Sequence, residues 1–207
     1  MIQWAFMAQP RKVQPPKAEP AVLDVRSSPA WEQWLEANHE AVPEGVWLRL
    51  FRKGAPEAAL DYAEAVHVAL CFGWIDGQAK RYDEVSRLQR FTPRRARSAW
   101  SKVNTERAAR LMEAGRMRPA GIREVDAAKA DGRWQRAYDP PSTAAIPEDF
   151  LAELGQHRKA AAFFATLDKR NRYPVVYRLQ TARTPETRAR RIQAIIEMFE
   201  RGEKFYG

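Results

Sequence analysis

A chain of 207 residues with 45% apolar side chains carries enough hydrophobic surface for one large domain, or for a main domain with a smaller partner. Its formal charge of +9 is balanced up to residue 60 and accumulates in the last two thirds, which favours an anionic partner, either nucleic acid or a phosphate-bearing ligand, without naming one. The single cysteine, Cys71, excludes an intrachain disulfide and points to a reducing compartment, and no apolar run reaches the ~18 residues that a membrane-spanning helix requires.

Residues 1 to 22 read as a flexible arm, because Pro10, Pro15, Pro16 and Pro20 stand among charged and amide side chains that cannot bury apolar surface. The first residues lack the basic and long apolar regions of a secretory signal, so a cytoplasmic location is expected. Ser28 and Pro29 then open a helix as N-cap and first helical residue, with Trp31, Trp34 and Leu35 on one face. Val46 to Phe51 is a strand by its alternation and β-branched and aromatic content, closed by a turn at Lys53-Gly54. Asp61 caps a helix whose stripe is Tyr62, Ala65, Val66, Ala69 and Leu70, and Gly73 stops it. A hairpin follows, with the segment at Lys80-Arg81-Tyr82 pairing with Leu88 to Thr92 across Asp83 to Ser86.

From Ser101 onward the period is helical. Val103, Ala108, Leu111 and Met112 form one stripe ending at Gly115, and Pro119 begins another with Ile122 and Val125 inward, stopped at Asp131-Gly132. Asp139-Pro140-Pro141-Ser142-Thr143 is a linker, since two prolines forbid a helix there. Beyond it lie a short helix after Pro147, a stripe of Ala160, Phe163, Phe164 and Leu167, a third helix with Tyr173, Val176, Tyr177 and Gln180, and a last helix capped by Thr184. On that last helix Ile192, Ile195, Ile196 and Phe199 face inward, and Glu186 to Arg190 and Glu197 to Arg201 have the spacing of surface ion pairs. The fold class is therefore α+β: helices packed on a small antiparallel sheet at residues 23 to 139, a linker at 140 to 147, and an all-helical module at 148 to 207.

Several blocks carry a resemblance. Tyr62 to Val66, Ala69 to Gly77, Phe91 to Arg95, Ser98 to Asn104, Gly115 to Gly121, Ala130 to Trp134 with Ala137-Tyr138, Pro147 to Asp149, and Ala182 to Arg188 with Arg191-Ile192 together resemble the YdeI/OmpD-associated (bacteriocin-protection) family, from about Trp31 to the C-terminus. Where members often carry Lys in the late block this chain has Arg183, which keeps the charge. The resemblance implies a contribution to resistance against bacteriocins, cationic antimicrobial peptides and envelope stress, and in some members association with an outer-membrane porin. It implies no catalytic mechanism. The absence of an export signal argues against a direct porin contact for this chain.

Three functional readings stay open. The leading one is a non-enzymatic cytoplasmic binding protein with no cofactor. The second is nucleic-acid binding through Arg87, Arg90, Phe91, Arg94, Arg95, Arg97 and Lys102, since guanidinium groups fork onto phosphates and aromatic rings stack on bases. Strand alternation puts Arg87 with Phe91 and Arg90 with Leu88, so these residues do not all share a face. The third is a sensor or enzyme for a small anion, built from Trp74, Asp76, Arg94, Arg95, Arg97, Trp100, Asn104, Arg188 and Arg191, with Asp76 on a turn beside aromatic rings. An anion between the start of the last helix and Arg170, Arg172 or Arg178 belongs to the same class. No metal site is expected, because His39, His67 and His157 stand far apart and no CxxC or HxxxH occurs. No P-loop, GxGxxG or GxSxG is present. Paired carboxylates that meet only in space are left open.

Overall fold

A computed structural model describes residues 19 to 52, 54, 55 and 60 to 207, so most of the proline-rich arm and Lys53 of the expected turn lie outside the described residues. The elements run in the order β1 (Val22–Leu23), α1 (Ser28–Asn38), β2 (Val46–Phe51), α2 (Tyr62–Cys71), β3 (Trp74–Arg81), β4 (Ser86–Pro93), α3 (Lys102–Glu113) and α4 (Pro119–Ala130). Four further helices follow: α5 (Glu148–Leu154), α6 (Arg158–Thr166), α7 (Lys169–Gln180) and α8 (Pro185–Glu200). The α+β class holds, with helices both around the sheet and after it. Among the described residues no helix is long and apolar enough to cross a membrane.

The sheet order is β1-β2-β4-β3, and only its last three strands are antiparallel. The edge strand β1 runs parallel to β2, with Val22 opposite Trp47 and Leu23 opposite Leu48. Val22 therefore belongs to the sheet and not to the arm, a pairing that the neighbouring prolines conceal in the sequence. Strand β3 is longer than the spacing predicts. It starts at Trp74, so Trp74, Asp76 and Gly77 lie on a strand instead of a turn, and the ladder shifts register between Asp76 and Ala79. Gly73 makes the handover from α2, at φ 72° where a side chain would strain the backbone.

The alternation of β2 sends Val46, Leu48 and Leu50 into the core and leaves Trp47, Arg49 and Phe51 on the other face. Trp31 and Leu35 of α1 and the apolar side of α2 pack on the inner face with Trp74, Phe91 and Trp100. Trp31 is fully buried, yet its indole N–H donates to the Ala65 carbonyl at 3.1 Å, so burial leaves no orphan donor there. On the outer face the rings of Trp47 and Phe51 are covered by cations, with Lys80 4.5 Å from the Trp47 ring and Arg26 4.3 Å from Phe51.

A second, separate core joins Phe150, Phe164, Leu167, Val175, Leu179, Ile195, Ile196 and Phe199. Each fully buried aliphatic or aromatic side chain in it contributes about 1.5–3 kcal/mol. Three local expectations need correction. The cap of α1 is Ser27, whose hydroxyl accepts from Ala30 N, which makes Ser28 the first helical residue. Ile122 of α4 faces outward at 38% exposure, because Gly121 and Ala120 form the contact side. Arg201 pairs with Glu203 at 3.0 Å instead of Glu197, and Glu186 accepts no ion pair from Arg190.

The two cores meet through Asp139. Its carboxylate binds Lys102 at 2.6 Å and accepts from the Gln180 side chain at 2.6 Å, while its backbone N–H donates to the same glutamine and its carbonyl accepts from the Tyr173 hydroxyl. These partners hold the Asp139 carboxyl below its ordinary value, the Lys102 ammonium most strongly. Tyr138 meets Tyr177 edge to face across the same junction, with centroids 4.9 Å apart.

Candidate functional site

Between the two cores lies a cleft of about 760 Å³, within the usual ~300–1,000 Å³ range of small-molecule sites. One wall is the loop at Arg97, Ser98 and Ala99 with Arg133 and Arg136 from the turn after α4, and the other is α7 and the start of α8. On the second wall stand Tyr173, Tyr177, Arg178, Thr181, Arg183, Thr187 and Arg191, with Tyr206 at the rim. Among the described residues no carboxylate lines it.

How each arginine is held decides what it offers. Arg133 is buried and tied to Asp131 at 2.6 Å and to the Ser98 carbonyl at 3.1 Å, so it builds the wall. Asp131 is held below the usual carboxylate range by that guanidinium. Arg136 donates only to the Asp131 carbonyl, and Arg191 only to the Arg178 carbonyl and the Thr181 hydroxyl, so neither charge is neutralised by those contacts. Arg178 lies 4.8 Å from the Phe205 ring. Arg97 and Arg183 are exposed and have no ion-pair or hydrogen-bond partner for their side chains among the described residues. Five guanidiniums thus converge on a lining that holds no carboxylate among the described residues, with Asp131, behind Arg133, the acid whose charge reaches Arg183. Burial pushes the Tyr173 hydroxyl up to about 12, so it stays a neutral donor to Asp139.

The sequence-nominated residues divide. Arg97 and Arg191 reach the cleft. Trp74 is a core residue, 1% exposed, donating to the His39 carbonyl at 3.1 Å, and Asp76 accepts from the Tyr62 hydroxyl at 2.6 Å. Burial, reinforced by that bond, pushes the Tyr62 hydroxyl up. Arg94 is 6% exposed, 3.6 Å from the Trp100 ring centre, with one bond to the Ala99 carbonyl at 3.3 Å. Its burial lowers it to about 10. Trp100 is core, and Asn104 is buried at the start of α3, where it accepts from Arg107. Arg188 forks onto Asp149 at 2.6 and 2.7 Å.

The hairpin set does not share one surface. Arg87 lies 5.4 Å from the Tyr62 ring on the α2 side, while Arg90 sits on the other face by Trp47 and donates to the Glu44 carbonyl. Phe91, nominated as a stacking ring, is 0% exposed in the core. Arg95 is exposed in a tight turn closed by Ser98, and Lys102 is spent on Asp139. Of the later candidates Arg178 lines the cleft, whereas Arg170 lies over Tyr206 and Arg172 donates to the Ala165 carbonyl. Arg133 and Arg136 carried no signal in the sequence, because a turn after a helix stop gives no hint of which wall it will face.

Cys71 is 2% exposed and its thiol is pushed up by burial, which makes it a packing residue. No three His, Cys, Asp or Glu side chains gather as a metal site among the described residues.

Two family models match. Residues 143–202 match "Bacteriocin-protection, YdeI or OmpD-Associated", and residues 23–124 match a domain of unknown function (DUF8412). The first of these models covers only the C-terminal part, so the earlier blocks, from Tyr62 to Gly121, fall to the second. No curated protein and no solved structure matches the chain significantly.

Proposed function

We propose, from the premise that residues 143–202 are a YdeI/OmpD-associated, bacteriocin-protection domain, that the chain is a non-enzymatic cytoplasmic binding protein taking an anionic ligand in the cleft between its two cores. The observation that carries this is the convergence of Arg97, Arg136, Arg178, Arg183 and Arg191 on a concavity whose lining, among the described residues, holds no carboxylate. Guanidiniums present fixed forks of N–H donors that match phosphate and carboxylate oxygens, and a concave wall strengthens their field.

Charge also shapes how protection from cationic peptides would work. A chain of net charge +9 with an arginine-lined cleft repels such a peptide, so direct capture is opposed. Protection then runs through an anionic cell component that the cleft binds. The hairpin reading for nucleic acid gains no support, since Arg87 and Arg90 sit on opposite faces of the sheet.

The test is complementation of a deletion strain challenged with a cationic antimicrobial peptide. The wild-type chain restores tolerance, and the double variant Arg97→Glu/Arg183→Glu, expressed at equal level and with an unchanged melting temperature, does not. Equal rescue by both would refute the role of the cleft.

A further inference from the structure

The cleft's charge limits what fills it. Contacts to the carbonyls of Asp131 and Arg178 and to the Phe205 ring orient Arg136, Arg191 and Arg178 but leave their charges whole, and among the described residues Arg97 and Arg183 have no hydrogen bond or ion pair, Asp131 reaching Arg183 only through its field. A monoanion would leave most of the mutual repulsion in place; a ligand with three or more negative charges would relieve it. Carboxylate metabolites seldom carry so many on a small frame, whereas a short phosphate chain does, with oxygens that accept forked bonds from successive guanidiniums.

The same lining has a second chemistry. Tyr177 and Tyr206, both in the cleft lining, are 40% and 47% exposed, and Tyr177 is braced edge to face by Tyr138. A braced, half-exposed ring next to free guanidiniums is a platform on which a planar base stacks while its phosphates reach the cations. Tyr173 and Tyr177 of α7 and its C-cap Thr181 recur every fourth residue, and with the hydroxyls of Tyr173 and Thr181 spent on the Asp139 and Tyr177 carbonyls the strip that leads to Arg183 and Arg191 offers the Tyr177 ring. Inorganic polyphosphate would use the arginines and leave this strip idle. A volume of about 760 Å³ holds one nucleotide with its phosphates.

We propose that the cleft binds a nucleotide carrying two or more phosphates, its phosphate chain on Arg97, Arg183 and Arg191 and its base against Tyr177. The proposal rests on the reading of the cleft as an anion site and names the ligand class.

Calorimetric titration of the full chain with inorganic triphosphate, the four ribonucleoside triphosphates, adenosine and a single-stranded hexaribonucleotide tests it. At least one nucleoside triphosphate is expected to bind tenfold or more tighter than inorganic triphosphate, with adenosine far weaker. Tyr177→Ala should erase that preference and keep triphosphate binding, Tyr177→Phe should retain it, and Arg97→Glu/Arg183→Glu should abolish both. Equal affinity for nucleotides and inorganic triphosphate would overturn the nucleotide proposal while leaving the anion cleft standing. A hexaribonucleotide binding more than tenfold tighter than every mononucleotide would overturn it in favour of RNA. No binding of triphosphate to the wild type would remove the anion cleft itself.

Discussion

Arg188 holds both carboxylate oxygens of Asp149, Arg94 sits over the Trp100 ring out of water, and Arg183 stands at a cleft wall with no hydrogen bond or ion pair among the described residues; the three share one side chain and differ only in neighbours. That is why composition and local spacing singled out Arg97 and Arg191 together with several structural arginines. Whether a guanidinium is spent depends on a carboxylate tens of residues away, as with Asp149 and Arg188. His157 shows the same dependence at a titrating group. Its ring reaches Glu200 at 2.9 Å and Glu153 at 3.6 Å, and the Glu200 bond, followed by its charge, raises the imidazole above its ordinary 6.5. A raised histidine adds stability that is complete below the unfolded value and fades as pH rises through the folded one. His67 acts with the opposite sign, since burial and then Arg107 lower it, and its contribution is complete above the unfolded 6.5 and is lost as pH falls below that through the folded value. The difference between wild type and His157→Asn isolates the first effect: the variant should melt lower than wild type at about pH 5.5 and match it at about pH 8.5. A gap that does not depend on pH would show that the ring acts through packing alone.

Elements were legible where caps and stripes agree. Asp61 accepts from Glu64 N, Thr184 from Thr187 N, and Ile192, Ile195, Ile196 and Phe199 all turn inward, because capping and 3.6-residue periodicity are local properties. Strand β1 was not legible, since two residues after a run of prolines carry no pattern and gain strand character only by pairing with Trp47 and Leu48. The contact of α2 with α4 was hidden for a similar reason. It depends on Gly121, where an added Cβ would sit 2.8 Å from the Leu70 carbonyl oxygen and collide with that of Cys71. Both obstacles are backbone, which cannot rotate away. Gly121→Ala should therefore destabilise the chain by about 1–3 kcal/mol in spite of its better helix propensity, as denaturant unfolding would show. Gly155→Ala, whose nearest neighbours lie at 3.4 Å or beyond, serves as the control and should stay near neutral.

At the scale of the whole molecule, two hydrophobic cores are joined by a short proline-containing segment and pinned by Asp139, and the arginine cleft exists only because both walls are held in register. The prolines at 140 and 141 mark a boundary in the sequence, and one hydrophobic cluster lies before them and the other after. The cleft could not be read there, since Arg97, Arg136 and Arg183 lie far apart in sequence and meet only through the Lys102, Asp139 and Gln180 contacts. The most direct test of the account is the thermal shift produced by inorganic triphosphate. At a hundred times its dissociation constant it should stabilise the wild-type chain by about 2.7 kcal/mol. That gain should shrink as salt rises from about 50 to about 200 mM and vanish in Arg97→Glu/Arg183→Glu. An equal shift in the double variant, or no shift in the wild type, would contradict the assignment of the cleft as the binding site.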